Sequence, residues 1–320
     1  MSLYDWSSVE FELPQEPLGW MHSGVTVIEG RVVVAHPGEP TLLFLDEVGA
    51  VGHTVELDGL LEPHGFCATT DGLWIGDVGF KRRVRGPEFE TVRGRGRVVL
   101  VDDAGRVVRE LDDPGSGWSP TAVAVADETG EVWVADGYGQ SLVHRFDSGG
   151  RHVQTLNGEE GAGRFDCPHG VLVDRRADEP ELYVSDRANA RIQVFDLQGT
   201  FKRTAGEGIV VTPTDMVVVG EELALTDFTK ARVTILDADG ELIEHVGANP
   251  GAPDRPGWPN AVDHAGDLVR PPLQPGHFNS PHTLAADSAG DLYVTEWLLG
   301  GRVTQLSRIA HARPTTIRPT

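Results

Sequence analysis

One strand-like segment recurs along the chain, and this repetition limits the possible fold more than any other feature. Each copy is a short run rich in Val, Ile, Leu, Trp or Tyr that ends in Asp or Glu. A degraded copy, HSGVTVIEGRVVVAH, begins at His22 and brings the number of units to six. Runs of this length bounded by Gly and Asp are typical of β-strands joined by tight turns. The clearest copies are GLWIGD (72–77), EVWVADG (131–137), ELYVSDR (181–187), ELALTD (222–227) and DLYVTEW (291–297).

Each copy stands between two further apolar runs, and a turn rich in Gly and Asp leads from the third run into a fourth. Four antiparallel strands per repeat are typical of a propeller blade. The sequence therefore predicts an all-β fold, a six-bladed β-propeller that occupies residues 1–320 as a single domain. No helical periodicity of ordinary length interrupts the pattern, and a two-sheet sandwich accounts poorly for six copies in phase.

The two ends of the chain complement each other. The last unit lacks an outer strand, and VEFEL (9–13) alternates apolar and polar residues without belonging to any unit. We expect this N-terminal strand to complete the last blade and close the ring, because closure removes open sheet edges.

The charge of the chain argues against several classes of partner. Lys and Arg number 27 against 49 Asp and Glu, a net charge of −22, whereas nucleic acids and anionic membranes favour basic surfaces. No apolar stretch approaches the ~18 residues that a membrane span needs. The first residues show no signal-peptide pattern, and two cysteines, Cys67 and Cys167, make no disulfide framework. We expect a cytoplasmic protein that binds a small molecule rather than nucleic acid or membrane.

Histidine occupies the start of the inner strand in every second unit. Inner strands line the central channel of a propeller, and alternate blades of six lie about 120° apart. Three imidazoles at one height would therefore converge on the axis. This arrangement suits three ligands of a tetrahedral metal with a fourth position open. The aligned positions, in chain order, are Ser23, His64, Thr121, His169, Thr214 and His282.

The competing interpretation is that each histidine hydrogen-bonds within its own blade. Blade packing alone gives no reason for a threefold alternation with Ser and Thr, and this favours the metal site. We therefore expect His64, His169 and His282 to bind a metal. Zn²⁺ is the first choice, and Fe, Mn or another divalent ion is the alternative.

Five longer motifs contain the aligned residues and their neighbours. They are EPHGFCATTDGLWIGDVG (62–79), PTAVAVADETGEVWVADGYGQSLVHRF (120–146), CPHGVLV (167–173), SDRANARIQVF (185–195) and SPHTLAAD (280–287). These motifs resemble the peptidyl-α-hydroxyglycine α-amidating lyase family, whose fold is a six-bladed NHL-type propeller. The resemblance implies that the three histidines bind a catalytic zinc. It also implies catalytic roles for Tyr138 of the DGY motif and for Arg187 of the DR-x-N-x-RIQ motif.

The chain departs from this family at three places. A family arginine in the first blade corresponds to the proline of His36-Pro37-Gly38. Thr283 stands where the family has an acidic side chain for a structural calcium, and this argues against Ca²⁺. None of the disulfide cysteines of the family is present, in agreement with a cytoplasmic location.

The resemblance implies a metal-dependent lyase that breaks the N–C(OH) bond of a carbinolamide-type substrate and releases an amide and an aldehyde such as glyoxylate. We expect Tyr138 to act as the base. We expect Arg187 to lower the pKa of Tyr138 toward neutrality and to bind the carboxylate of an anionic substrate. The structural alternative is that Tyr138 caps a turn while Arg187 pairs with Asp186 or Asp136.

Two other functions are compatible with the sequence. A metal-dependent hydrolase or hydratase on the same three-histidine site would act on a lactone, an amide or an unsaturated acid. A non-catalytic NHL-type module would bind a protein on its propeller face and would have no need of a metal.

Two segments lie outside the repeat pattern. The Pro/Gly-rich residues 247–279 lengthen the connection between units five and six, and we expect this inserted loop to be a lid over the channel mouth. The segment KRRVRGPEFETVRGRGR (81–97) concentrates positive charge in unit two, and we interpret it as a solvated loop.

Overall fold

The recurring apolar segments form six four-stranded antiparallel sheets, the blades, in the computed structural model, which describes residues 2–309. The predicted six-bladed propeller is confirmed. Each recurring copy becomes the second strand of its blade, as Gly72–Asp77 does in blade 2 and Glu131–Asp136 in blade 3. These strands are apolar throughout because both of their faces are covered by neighbouring blades.

The first three blades follow one another along the chain, each with its innermost strand first. Blade 1 consists of Val25–Ile28, Arg31–Ala35, Thr41–Leu45 and Val51–Glu56. Blade 2 consists of Pro63–Thr69, Gly72–Asp77, Arg97–Val101 and Val107–Glu110. Blade 3 consists of Ala122–Ala126, Glu131–Asp136, Leu142–Phe146 and His152–Leu156.

The last three blades have the same strand order. Blade 4 consists of Pro168–Asp174, Glu181–Asp186, Arg191–Asp196 and Phe201–Ala205. Blade 5 consists of Pro213–Val219, Glu222–Asp227, Arg232–Leu236 and Leu242–Val246. Blade 6 consists of Pro281–Ala286, Leu292–Glu296, Val303–Arg308 and Tyr4–Trp6.

Helical structure in residues 2–309 is confined to two single-turn 3₁₀ segments, Arg187–Asn189 and Phe228–Lys230. Neither segment has the length or the apolar composition of a helix that crosses a membrane.

The outer strand of blade 6 is Tyr4–Trp6, which pairs antiparallel with Val303–Arg308. The segment 9–13, predicted for this place, forms no strand. Its alternating pattern has another cause: Phe11 and Leu13 pack into the apolar seam between blades 1 and 6. Alternation indicated burial of one side of the segment, but it did not indicate which strand would be its neighbour.

Apolar side chains fill the seams between adjacent blades. Residues 2–309 contain six clusters of buried residues, one for each pair of neighbouring blades, including blade 6 with blade 1. In the seam between blades 3 and 4, for example, Trp133 packs in the same cluster as Phe195. The core is therefore a ring of seams, and polar side chains at the inner-strand starts meet in the middle.

Two hairpins extend from the blades on the side where the inner strands begin. Phe80–Arg85 pairs with Glu88–Arg93, and Ala261–Val262 pairs with Leu268–Val269 inside the 247–279 insertion. The amide of Leu268 donates to the carbonyl of Gly86 over 3.2 Å, so the hairpins touch. The interpretation of 81–97 as a solvated loop is wrong for the first hairpin, because the Lys81 ammonium is buried 2.9 Å from the Glu62 carboxylate.

Candidate metal centre

In blades 2 to 6 the second strand ends in an acidic residue, and this residue fixes how the inner strand of its blade begins. Asp77 and Glu296 are buried, and their carboxylates accept hydrogen bonds from backbone amides of the loop that precedes the inner strand. Leu61 N lies 2.7 Å from Asp77 Oδ2, and Ser280 N lies 2.9 Å from Glu296 Oε1. The Pro-His pairs of blades 2 and 6 follow directly, so the recurring acid positions the histidines.

The three alternating histidines meet at the centre of the ring. The ring centroids of His64 and His169 lie 5.0 Å apart, those of His64 and His282 lie 5.0 Å apart, and those of His169 and His282 lie 4.8 Å apart. All six aligned positions are buried, and they are Ser23, His64, Thr121, His169, Thr214 and His282.

Two of the imidazoles are oriented by carbonyls of the next blade. His64 Nδ1 lies 2.6 Å from the carbonyl oxygen of Thr121, and His169 Nδ1 lies 3.1 Å from the carbonyl oxygen of Thr214. Because a carbonyl only accepts, Nδ1 carries the proton in both rings and the Nε2 lone pair points inward. A carbonyl that holds one ring nitrogen is the usual support for a histidine whose other nitrogen binds a metal.

The fit of these residues to a metal is indicated by nitrogens that lack any other partner. His64 Nε2 and both ring nitrogens of His282 are buried without a hydrogen-bond partner in residues 2–309. An unpaired polar atom in such a place costs free energy unless a ligand satisfies it. The competing interpretation, histidines satisfied within their own blades, leaves these three nitrogens unexplained.

Burial keeps the imidazoles neutral, which is the form that binds metals. Burial lowers the pKa of His64 to about 3. The pKa values of His169 and His282 are likewise lowered by burial, and the Arg187 guanidinium acts in the same direction on both.

Tyr138 and Arg187, implied by the resemblance, both lie against the histidines. The Tyr138 hydroxyl is 2.8 Å from His169 Nε2, and Arg187 Nη1 is 3.4 Å from that hydroxyl. The alternative that Arg187 pairs with Asp186 or Asp136 is wrong. Asp186 accepts from Arg191 Nε at 2.8 Å, and Asp136 accepts hydrogen bonds from backbone amides.

The predicted effect of Arg187 on the pKa of Tyr138 is opposed by burial. Burial raises the pKa of Tyr138 to about 12, and Arg187 offsets only part of this increase. The hydroxyl therefore carries its proton. Since His169 Nδ1 already holds the proton of that ring, the Tyr138 hydroxyl donates to His169 Nε2.

A fourth histidine, His22, was missed by the sequence analysis. His22 Nε2 lies 3.0 Å from the Tyr138 hydroxyl, and its ring centroid lies 4.5 Å from that of His64 and 4.8 Å from that of His282. His22, His64 and His282 each offer a ligand nitrogen, and these nitrogens lie within 4.8 Å of one another. A signal existed: the residue before Ser23 is histidine, whereas the other five units have proline there.

Aromatic side chains cover the histidines on the side of the two hairpins. Trp297 lies 5.4 Å from His22 between ring centroids and stacks on Trp20 at 5.1 Å. The Arg82 guanidinium, from the first hairpin, lies over the rings of Trp20, Phe89 and Trp297 at 5.6, 4.7 and 5.2 Å. On the opposite side the channel continues as a cavity of about 320 Å³, which His64 and His169 line at one end.

Sequence relatives of this chain include proteins named for amidation. A rat protein named peptidylglycine alpha-amidating monooxygenase is 34% identical over 140 residues, which are 42% of this chain and 13% of the rat protein. A Caenorhabditis elegans protein named probable peptidyl-alpha-hydroxyglycine alpha-amidating lyase is 30% identical over 155 residues, 47% of this chain and 41% of that protein.

Mouse NHL repeat-containing protein 3 is 32% identical over 194 residues, 54% of this chain and 50% of that protein. The chain thus spans half or less of the length of the curated relatives described here. No family model matches it.

Solved structures agree on the fold. A streptogramin B lyase structure superposes with a TM-score of 0.60 at 12% identity, covering 96% of this chain and 98% of that one. A catalytically inactive virginiamycin B lyase from Staphylococcus aureus, solved with quinupristin, has a TM-score of 0.59 at 12% identity, covering 96% of this chain and 100% of that one. At this identity the likeness shows a shared propeller fold and nothing about substrate. The resemblance predicted from the motifs is confirmed by the sequence relatives: the chain is a six-bladed propeller similar to the peptidyl-α-hydroxyglycine α-amidating lyases and to NHL repeat-containing protein 3.

Proposed function

We propose that this chain is a metal-dependent lyase that cleaves the N–C(OH) bond of a carbinolamide-type substrate, giving an amide and an aldehyde. The observation that carries the proposal is the cluster of buried imidazoles beside the Tyr138–Arg187 pair. The relatives that are named peptidyl-alpha-hydroxyglycine alpha-amidating lyases support a lyase.

His64, His169 and His282 would hold the metal, for which zinc is the first choice because imidazole suits it. When bound, the metal supplies Lewis-acid activation of a substrate oxygen and positive charge that favours deprotonated forms of neighbouring groups. The Nε2 atom of His169 cannot both bind a metal and accept from Tyr138. Occupation of the site would therefore release the Tyr138 hydroxyl from His169.

Tyr138 and Arg187 carry the remaining steps. With the metal in place, Tyr138 would act as the base in its deprotonated form: the phenolate takes the proton of the substrate hydroxyl, the C–O bond becomes a carbonyl, and the C–N electron pair goes to the amide nitrogen. Tyr138 then returns the proton to that nitrogen, so the reaction needs no oxidant or water. The Arg187 guanidinium stabilises the phenolate and binds a substrate carboxylate, in which case the aldehyde is glyoxylate.

We propose that the substrate is anionic and enters past the two hairpins. Arg82 and Arg187 form no ion pair with a carboxylate in residues 2–309, although the chain as a whole is strongly acidic. Two guanidiniums of this kind near one tyrosine favour a carboxylate ligand. The 247–279 insertion and the 80–93 hairpin together would act as the lid, since they touch each other through Leu268 and Gly86 on the side of the aromatic cover.

The test uses α-hydroxyhippurate, a carbinolamide whose cleavage gives benzamide and glyoxylate. The purified protein is assayed for bound metal and then for glyoxylate release above the spontaneous rate. Metal-loaded protein that releases both products supports the proposal, and removal of the metal with a chelator should abolish turnover.

The other functions are outcomes of the same experiment. Metal-loaded protein without glyoxylate release would contradict the lyase and favour a hydrolase or hydratase, which a lactone, amide and unsaturated-acid panel then separates. Protein that holds no stoichiometric metal would favour a non-catalytic module that binds a protein partner.

A further inference from the structure

His22 lies directly against two of the proposed metal ligands. It precedes the inner strand of blade 1, between blade 2, which carries His64, and blade 6, which carries His282. Its ring contacts both of those rings, at centroid distances of 4.5 and 4.8 Å. It is buried, so its presence in this polar cluster has a desolvation cost that a surface histidine would not have.

His22 makes the same kinds of contact with the neighbouring rings as His169 does, although the compact group of ligand nitrogens includes His22 and not His169. Both contact His64 or His282 through ring distances of 4.5 to 5.0 Å, and both approach the Tyr138 hydroxyl through Nε2, at 3.0 and 2.8 Å. The compact group of ligand nitrogens, all within 4.8 Å of one another, contains His22 together with His64 and His282.

We propose that His22 is a ligand of the same metal, so that the site has four protein imidazoles, from blades 1, 2, 4 and 6. This inference rests on the proposed function for the presence of the metal. A fourth imidazole completes the donor set that three histidines leave open, so substrate has to add to the metal or displace a ligand. His22 and His169 both contact the Tyr138 hydroxyl, so they are the two imidazoles of the site that lie beside the proposed base.

The experiment counts imidazole ligands by X-ray absorption spectroscopy on zinc-loaded protein. We expect four imidazoles in the wild type and three in His22→Gln, whose amide can still reach Tyr138 but is a poor zinc ligand. Zinc affinity, measured by competition with a chelator, should fall by more than about tenfold in this variant, since disturbing even an outer partner of a ligand costs about 10- to 100-fold. The matched control is His144→Gln, which replaces a buried histidine that is hydrogen-bonded to Thr155 outside the channel. This variant should keep four imidazole ligands on zinc.

A wild-type count of three, or an unchanged count and affinity in His22→Gln, would overturn the inference. The wild-type count decides the question even if the variant does not fold. Protein that binds zinc through three imidazoles defeats this inference alone, whereas protein that binds no zinc at all defeats the proposed function with it.

Discussion

The hydroxyl of Tyr138 donates to Nε2 of His169 over 2.8 Å. This one hydrogen bond joins the residue proposed as the base to a residue proposed as a metal ligand. Burial raises the pKa of Tyr138 to about 12, so this residue needs a nearby positive charge to act as a base.

Replacing Tyr138 by Phe should remove catalysis without removing the metal. General base catalysis contributes about 10²- to 10⁴-fold, so kcat for α-hydroxyhippurate should fall by at least about 100-fold. Metal content should stay at the wild-type level because the phenol oxygen is not among the proposed ligands. Tyr183→Phe, a buried tyrosine of blade 4 whose hydroxyl accepts from Arg203, is the control. Wild-type turnover by Tyr138→Phe would remove this residue from the mechanism.

Arg82→Met should weaken binding of a carboxylate substrate while leaving kcat nearly unchanged. The methionine keeps an apolar stem among the aromatic rings, and the charge is lost. A hydrogen bond to a charged group is worth about 1.5–3 kcal/mol, so KM should rise about 10- to 100-fold. Steady-state kinetics with α-hydroxyhippurate and with its uncharged amide measure the difference. Arg83→Met, an exposed neighbour on the other face of the strand, is the control, and an equal KM change in both variants would contradict the assignment.

Asp215 should make stability depend on pH. Burial raises the pKa of this channel-lining carboxyl from 3.8 to about 6. A raised folded-state pKa means that the contribution to stability is complete below about pH 4 and is lost as the pH rises through about 6. Relative to Asp215→Asn, the free energy of unfolding of the wild type should therefore decrease over this interval in urea titrations. Exposed Asp239→Asn is the control, and parallel pH profiles of wild type and Asp215→Asn would refute the prediction.

Tyr4 should be necessary for a stable sixth blade. Its side chain is 3% exposed, it packs in the seam between blades 5 and 6, and its hydroxyl accepts from Arg308 at 2.8 Å. Tyr4→Ala should lower the free energy of unfolding by about 3–5 kcal/mol, as for other buried aromatics. Tyr4→Phe removes only the hydrogen bond and should cost about 0.5–1.5 kcal/mol. Equal stability of Tyr4→Ala and wild type in denaturant titrations would show that the N-terminal strand does not close the ring.

The alignment of the six repeats made it possible to predict from the sequence that three histidines meet at the centre of the ring. Because each unit repeats the same four strands, aligning the units was enough to bring His64, His169 and His282 together across separations of 105 and 113 residues. The recurring acid after the second strand, which holds the loop before the inner strand, was visible in the same alignment.

Features outside the repeat were not predictable in this way. His22 stands just before the aligned position of unit 1, Ser23, and its only signal in the sequence is that it replaces the proline found there in the other five units. The many charged residues of the 80–93 hairpin favoured the interpretation of a solvated loop. In the structure, however, Lys81 is buried against Glu62 and Arg82 lies among aromatic rings. The Tyr138 pKa depends on burial by residues from several blades, which no local motif encodes.

Anomalous diffraction from crystals of the protein as purified tests the central claim most directly. The account predicts one strong peak at the absorption edge of the bound metal, within coordination distance of the imidazole nitrogens of His64, His169 and His282. Crystals whose protein cleaves α-hydroxyhippurate but which show no such peak, or show it away from these rings, would contradict the account.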